Sequence, residues 1–135
     1  MELDFSDVDD VETFVSVPEG TYNVRVADVR EGLTRDGAQR WGMRLEVRDG
    51  DYAGRTAAWD GLTWSERGMH RAKFVLSRLG FDVDGRLSIE PRDLMNRFAR
   101  VQVEAEERED PITGGRQIRP RVPYMGYLDP DDEAA

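Results

Sequence analysis

The stretch from Trp41 to Val47, WGMRLEV, alternates without a break. Trp41, Met43, Leu45 and Val47 fall on one side of an extended chain, and Arg40, Gly42, Arg44, Glu46 and Arg48 on the other. A period of two gives an apolar face and a charged face only in a β-strand, and one wet face is the mark of antiparallel sheet. The pattern recurs. Tyr22, Val24 and Val26 alternate with Asn23, Arg25 and Ala27; Ala99, Val101, Val103 and Ala105 alternate with Phe98, Arg100, Gln102, Glu104 and Glu106. Two shorter runs are less regular: Arg55 to Gly61, and the segment from Arg116, where Ile118 and Val122 share one side and Gln117, Arg119 and Arg121 the other. Pro120 and Pro123 confine that last run to a sheet edge. Strands are predicted at 21–30, 40–48, 55–61, 97–107 and 116–124, with turns at Pro18–Gly20, Asp36–Gly37 and Asp49–Gly50.

From Ser65 the period changes. SERGMHRAKFVLSRLG carries Met69, Ala72, Phe74, Val75, Leu76 and Leu79 at helical spacing, with Ser65 as an N-cap and Gly80 as a stop. A helical turn is expected at Pro91 to Asn96. The order is three strands, one helix and two strands. It predicts a mainly β protein, a five-stranded Greek-key OB-fold barrel with one α-helix between strands three and four. The barrel domain is expected over 18–128, between an acidic N-terminal arm (1–17) and an acidic C-terminal tail (129–135).

The net charge of −9 hides an uneven distribution. Residues 1–20 hold seven acids and no base, and residues 129–135 hold four acids and no base; the segment between them carries 19 basic and 17 acidic side chains. All the basic residues but Lys73 are arginines, as codon usage in a G+C-rich genome would also produce. A body near neutral can gather its arginines on one face. No run approaches the roughly 18 apolar residues of a membrane span. The absence of cysteine excludes disulfide and thiolate chemistry. MELDFSDVDD lacks the basic-then-apolar order of a signal peptide, so a cytoplasmic protein is expected.

Catalytic signatures are missing. The single histidine, His70, sits in the helical stretch as a surface or capping residue, and DVDG at Asp82–Gly85 is a turn rather than a calcium loop. Neither a P-loop nor a zinc or serine-hydrolase motif occurs. A non-enzyme with no cofactor and no metal is expected. The binding signal is stronger. A single strand of nucleic acid presents phosphates and unstacked bases, which require guanidinium groups along the backbone and aromatic faces for the bases. Outward strand positions supply Arg25, Arg40, Arg44, Arg48, Arg100, Arg119 and Arg121, with Phe98 beside Arg100, Tyr124 and Tyr127 just beyond Arg121, and Arg55 near Trp59. Outward arginine on a half-exposed strand is also ordinary solvation, with Glu46, Glu104 and Glu106 on the same faces. Trp41 belongs to the core, Trp64 is assigned to the bottom of the barrel, and Trp59 is left open between core and ligand.

VPEGTYNVRV, then DGDYAGRTAAWDGLTW, then RAKFVLSRLG resembles a family of small phage and prophage proteins. Pro18, Gly20, Tyr22, Asp49, Gly50, Tyr52, Gly54, Arg55, Leu79 and Gly80 carry the likeness. The resemblance implies an OB-fold and single-stranded-DNA binding in phage replication or recombination, in the cytoplasm of a bacterial host. The acidic end LDPDDEAA is similar in charge to the tails of single-strand-binding proteins, which compete with DNA and recruit replication or recombination partners. It departs from them in lacking a terminal aromatic. The expected partner is therefore single-stranded DNA, with the tail as a hook for other proteins, no membrane, and self-association left open. The alternative is a protein-interaction module on the same barrel.

Overall fold

The computed structural model describes residues 17–109 and 114–128. The acidic arm up to residue 16 and the tail from residue 129 lie outside the described residues. The elements are β1 (Gly20–Leu33), β2 (Gln39–Val47), β3 (Thr56–Thr63), α1 (Met69–Arg78), α2 (Pro91–Leu94), β4 (Phe98–Glu109) and β5 (Arg116–Arg121). They form one five-stranded antiparallel sheet in the order β3-β2-β1-β4-β5. No helix among the described residues is long and apolar enough to cross a membrane.

Two strands are shared between neighbours. β1 pairs with β4 from Gly20 to Arg25 and with β2 from Val24 to Leu33. A bulge between Val26 and Asp28 bends it where the pairing changes hands. β4 pairs with β1 over Phe98–Val103 and with β5 over Glu104–Glu109, so the β4–β5 hairpin projects past the start of β1. After β5 the chain returns to β4: Tyr127 bridges to Val101, and the Leu128 N–H donates to the Arg100 carbonyl at 2.8 Å.

The alternation predicts the core. Val24, Val26, Met43, Leu45, Val47, Val101 and Val103 are buried, and α1 adds Ala72, Val75 and Leu76. Burying Met43 or Leu45 stabilises the fold by roughly 1.5–3 kcal/mol each. Trp41 is buried, and Trp64 meets it edge-on with ring centroids 5.0 Å apart, so both belong to the core. Val17, placed by pattern in the arm, is also core. α1 starts at Met69, four residues after the expected cap. Ser65 instead holds a turn, its Oγ accepting from the Gly68 N–H at 3.0 Å. The helix ends as expected: Gly80, at φ 97°, donates to the Ser77 carbonyl and Phe81 to the Leu76 carbonyl. α2 is a second, short helix. It begins with Pro91 and is held by the Glu90 N–H donating to Asp93 Oδ2 at 2.9 Å.

The sheet is open. β3 and β5 are its edges and approach one another, yet no ladder joins them among the described residues. Side chains cross the gap instead. Asp60 on β3 is 8% exposed. Its Oδ2 accepts from the Tyr127 hydroxyl at 2.6 Å and from Arg71 Nη2 of α1 at 3.1 Å. Arg71 also donates to the carbonyls of Gly61 at 3.2 Å and Pro123 at 3.4 Å. The group joins β3, α1 and the chain beyond β5. A carboxylate out of water is costly unless its cation and hydrogen bonds are both present, and here both are. Tyr127, grouped by sequence with the exposed residues after Arg121, is buried and structural.

Burial, then the neighbouring Asp60 charge and its hydrogen bond, push the Tyr127 hydroxyl well above its ordinary 10. The folded state thus keeps a proton that the unfolded chain releases near pH 10. Stability from this group is present below pH 10 and is lost as pH climbs beyond it. Tyr127→Phe should cost about 1–3 kcal/mol at pH 7, where the Asp60 acceptor loses a donor. It should also flatten the alkaline decline, by up to roughly 1.4 kcal/mol per pH unit. Urea unfolding from pH 7 to 11 checks both, and an unchanged alkaline slope would remove Tyr127 from the account.

Candidate functional site

The outer face of the sheet follows from the register. Trp59 on β3 lies opposite Arg44 on β2, which lies opposite Asp28 on β1. One row toward the β1–β2 turn stand Gly61, Gly42 and Arg30; beyond them come Thr63, Arg40 and Gly32. On the other side of Trp59 the row is Thr56, Glu46, Arg25 and Phe98. Asn23 and Arg100 follow.

Two glycines in facing strands hollow this surface. A Cβ on Gly61 would lie 2.3 Å from Arg40 Nη2, because the Arg40 guanidinium rests on the bare backbone there. A Cβ on Gly42 would meet Arg40 Nη1 at 3.5 Å and the Trp59 ring at 3.9 Å. Trp59, 43% exposed, therefore leans toward Gly42, and the Arg30 guanidinium stands 4.8 Å from its ring centroid. Arg30, Glu31, Gly32, Leu33, Arg40, Gly42 and Trp59 bound a shallow depression of about 270 Å³. That is a little below the size of drug-binding pockets and suits a flat group on an aromatic wall.

Charge on this face is not balanced. Arg25 pairs with Glu46 and donates to Asn96 Oδ1 at 2.6 Å, and Arg30 pairs with Asp28 at 3.2 Å. Arg40, Arg44, Arg48 and Arg100 form no ion pair among the described residues. Arg44 Nη1 donates to Thr56 Oγ1 at 3.2 Å, which steadies it without neutralising it. Arg48 stacks on Phe98, its guanidinium carbon 3.6 Å from the ring centroid, while Phe98 stays 52% exposed.

Of the residues expected to bind, the structure brings Arg25, Arg40, Arg44, Trp59, Phe98 and Arg100 onto this one face. Arg55 stands at the start of β3 beside Tyr52, 5.6 Å from its ring. Arg119 and Arg121 lie out on the β4–β5 hairpin, opposite Glu106 and Glu104, and Arg121 pairs with Glu106 at 3.4 Å. Tyr124 is half-exposed beside Arg71, off the Trp59 surface. Arg30 escapes a reading by alternation because the bulge after Val26 reverses the faces of β1. Arg48 is readable from the β2 alternation. Among the described residues no group of three or more metal-ligating side chains is assembled.

Fold and face together define a small β-sheet protein whose outer face carries one exposed tryptophan and four arginines that form no ion pair among the described residues. The chain belongs to the family described as "Protein of unknown function (DUF669)", whose model matches residues 2–111. No curated protein matches it.

Gly61→Ala tests the hollow directly. The three atoms nearest the new Cβ all belong to the far end of the Arg40 side chain, so Arg40 should swing away and the strand hold. Stability should stay level or rise by about 0.5–1 kcal/mol, the usual gain of alanine over glycine in a strand. Arg40 would no longer lie against the sheet. Urea unfolding and a crystal structure of the variant read the two effects, and a collapse of the fold would contradict the geometry.

Proposed function

We propose that the protein binds single-stranded DNA with little sequence preference, through the outer face of β1–β2–β3 and the adjoining part of β4. One observation carries this: an exposed indole beside two facing glycines, on a sheet face where Arg40, Arg44, Arg48 and Arg100 form no ion pair among the described residues. A base stacks on Trp59 and the strand's phosphates run over Arg40, Arg44, Arg48 and Arg100. Stacking accepts every base, since each has a π-face, and the phosphate contacts carry no sequence information.

The strand order with α1 between β3 and β4 supports an OB-fold barrel opened along β3–β5. In that fold the face of strands two and three takes oligonucleotides. The resemblance of the Pro18–Tyr22 and Asp49–Arg55 stretches to phage proteins supports phage replication or recombination as the setting, in the bacterial cytoplasm. The protein acts by binding rather than as an enzyme. A second reading, protein interaction, is favoured by one observation: Ile118, Tyr124 and Met125 are exposed on and after β5. Partner proteins would then use that region and leave the arginine face idle.

Phosphate binding and stacking respond differently to salt. Arg44→Ala with Arg100→Ala should weaken binding to oligo-dT and flatten the plot of log affinity against log salt by roughly 0.7 for each phosphate no longer held. Neither side chain is in the core, so the fold should hold. Trp59→Ala should cost about 1–3 kcal/mol of binding with little change in slope, because stacking releases few counterions. Fluorescence titration over a salt series separates the two. Failure of the native protein to take up oligo-dT at low salt would hand the function to the protein-interaction reading.

A further inference from the structure

We infer that the acidic N-terminal arm, residues 1–16, docks on the arginine face of its own chain. Docking there rests on the reading of that face as a polyanion-binding surface, and supplies it with an occupant when no nucleic acid is present. The arm carries Glu2, Asp4, Asp7, Asp9, Asp10 and Glu12, no basic residue, and the aromatics Phe5 and Phe14. Carboxylates interleaved with aromatic rings are the peptide counterpart of phosphates interleaved with bases. Opposite them are Arg40, Arg44, Arg48 and Arg100, which form no ion pair among the described residues, and two exposed rings, Trp59 and Phe98.

The attachment point is well placed. Val17 is buried, Glu19 Oε2 accepts from the Ala105 N–H at 3.0 Å, and Gly20 pairs with Val103. The arm therefore leaves the sheet at the β1–β4 pair. From β4 to β3 is three strand spacings, about 15 Å, whereas 16 extended residues reach about 50 Å. A tethered segment acts at an effective concentration in the millimolar range, enough for a weak charged contact to be populated. The family match also favours the arm over the other acidic end. It runs from residue 2 to residue 111, so the arm lies inside the part shared by the family and the tail from 129 lies outside it.

The chain has no cysteine, so Ser6→Cys provides one nitroxide attachment site without altering the arm's charge. In the full-length protein at low salt, the nitroxide should broaden the Trp59 indole N–H and the amides of Gly42 and Arg44. The broadening should vanish at about 0.5 M salt, where screening is strong. It should vanish as well when Asp7→Asn, Asp9→Asn, Asp10→Asn and Glu12→Gln are combined. That neutralised arm should tighten oligo-dT binding at low salt by roughly two- to tenfold, as expected when a weak tethered competitor is removed. No broadening on this face, broadening centred on Ile118 and Tyr124, or broadening indifferent to salt overturns the inference. So does broadening that appears only between labelled and unlabelled chains, which would place the arm on a second copy. Oligo-dT binding without arm docking refutes the inference and keeps the DNA-binding face. Arm docking on a face that takes no oligo-dT keeps the inference and refutes nucleic-acid binding.

Discussion

The buried carboxylate of Asp60 is the point on which the open sheet depends. No ladder joins β3 to β5 among the described residues, and Asp60 supplies polar contacts across the gap: it gathers the Tyr127 hydroxyl at 2.6 Å and the Arg71 guanidinium at 3.1 Å. Arg71 extends the junction to the Pro123 and Gly61 carbonyls. Removing the Arg71 guanidinium from such a group leaves the buried Asp60 charge uncompensated, at a cost of about 3–5 kcal/mol. A hydrogen-bonded seam spreads the same work over many weaker bonds. Here it is concentrated in three side chains from three parts of the chain.

That junction also fixes the outer face. Successive strand residues point to opposite sides, so anchoring Asp60 inward turns Trp59 and Gly61 outward. Trp59 becomes the exposed indole, and Gly61 becomes the seat of Arg40. Arg71 grips the Gly61 carbonyl from the inner side. Three consecutive residues thus connect the structural clamp to the candidate binding surface. The pairs Arg25–Glu46 and Arg30–Asp28 contribute shape and little field, whereas Arg40, Arg44, Arg48 and Arg100 form no ion pair among the described residues, with Arg100 bordering a hollow that it shares with Asp49 and Asp51.

Much of this is legible in the sequence wherever the alternation runs unbroken. Trp41 to Val47 and Ala99 to Val103 fall on the faces their spacing requires, and five strands with a main helix after the third are present. Legibility ends at bulges. Strict alternation from Tyr22 would turn Arg30 inward; the bulge between Val26 and Asp28 turns it out, over Trp59. A second irregularity opposite Leu45 and Glu46 leaves Ala57 and Ala58 both buried, so parity cannot place Trp59. Asp60-Gly61 has the look of a turn at a strand's end, yet β3 continues to Thr63. The role of Tyr127 depends on Asp60, 67 residues earlier, and no local pattern encodes such a pair.

The two glycines give the last link between stability and use. Glycine in a strand interior costs roughly 0.5–1 kcal/mol relative to alanine, and Gly42 and Gly61 face one another across β2 and β3. A chain selected for stability alone would gain by filling both: a Cβ at Gly42 would make only ordinary contacts, and one at Gly61 would displace the end of the Arg40 side chain. Leaving Gly61 bare lets the Arg40 guanidinium rest on the backbone. Glycines at such positions mark close approach by a ligand or another backbone. Within this sheet the inner side is already filled by Met43, Leu45 and Leu62. The bare backbone at the glycines therefore faces outward, where the Arg40 guanidinium and the Trp59 ring border it.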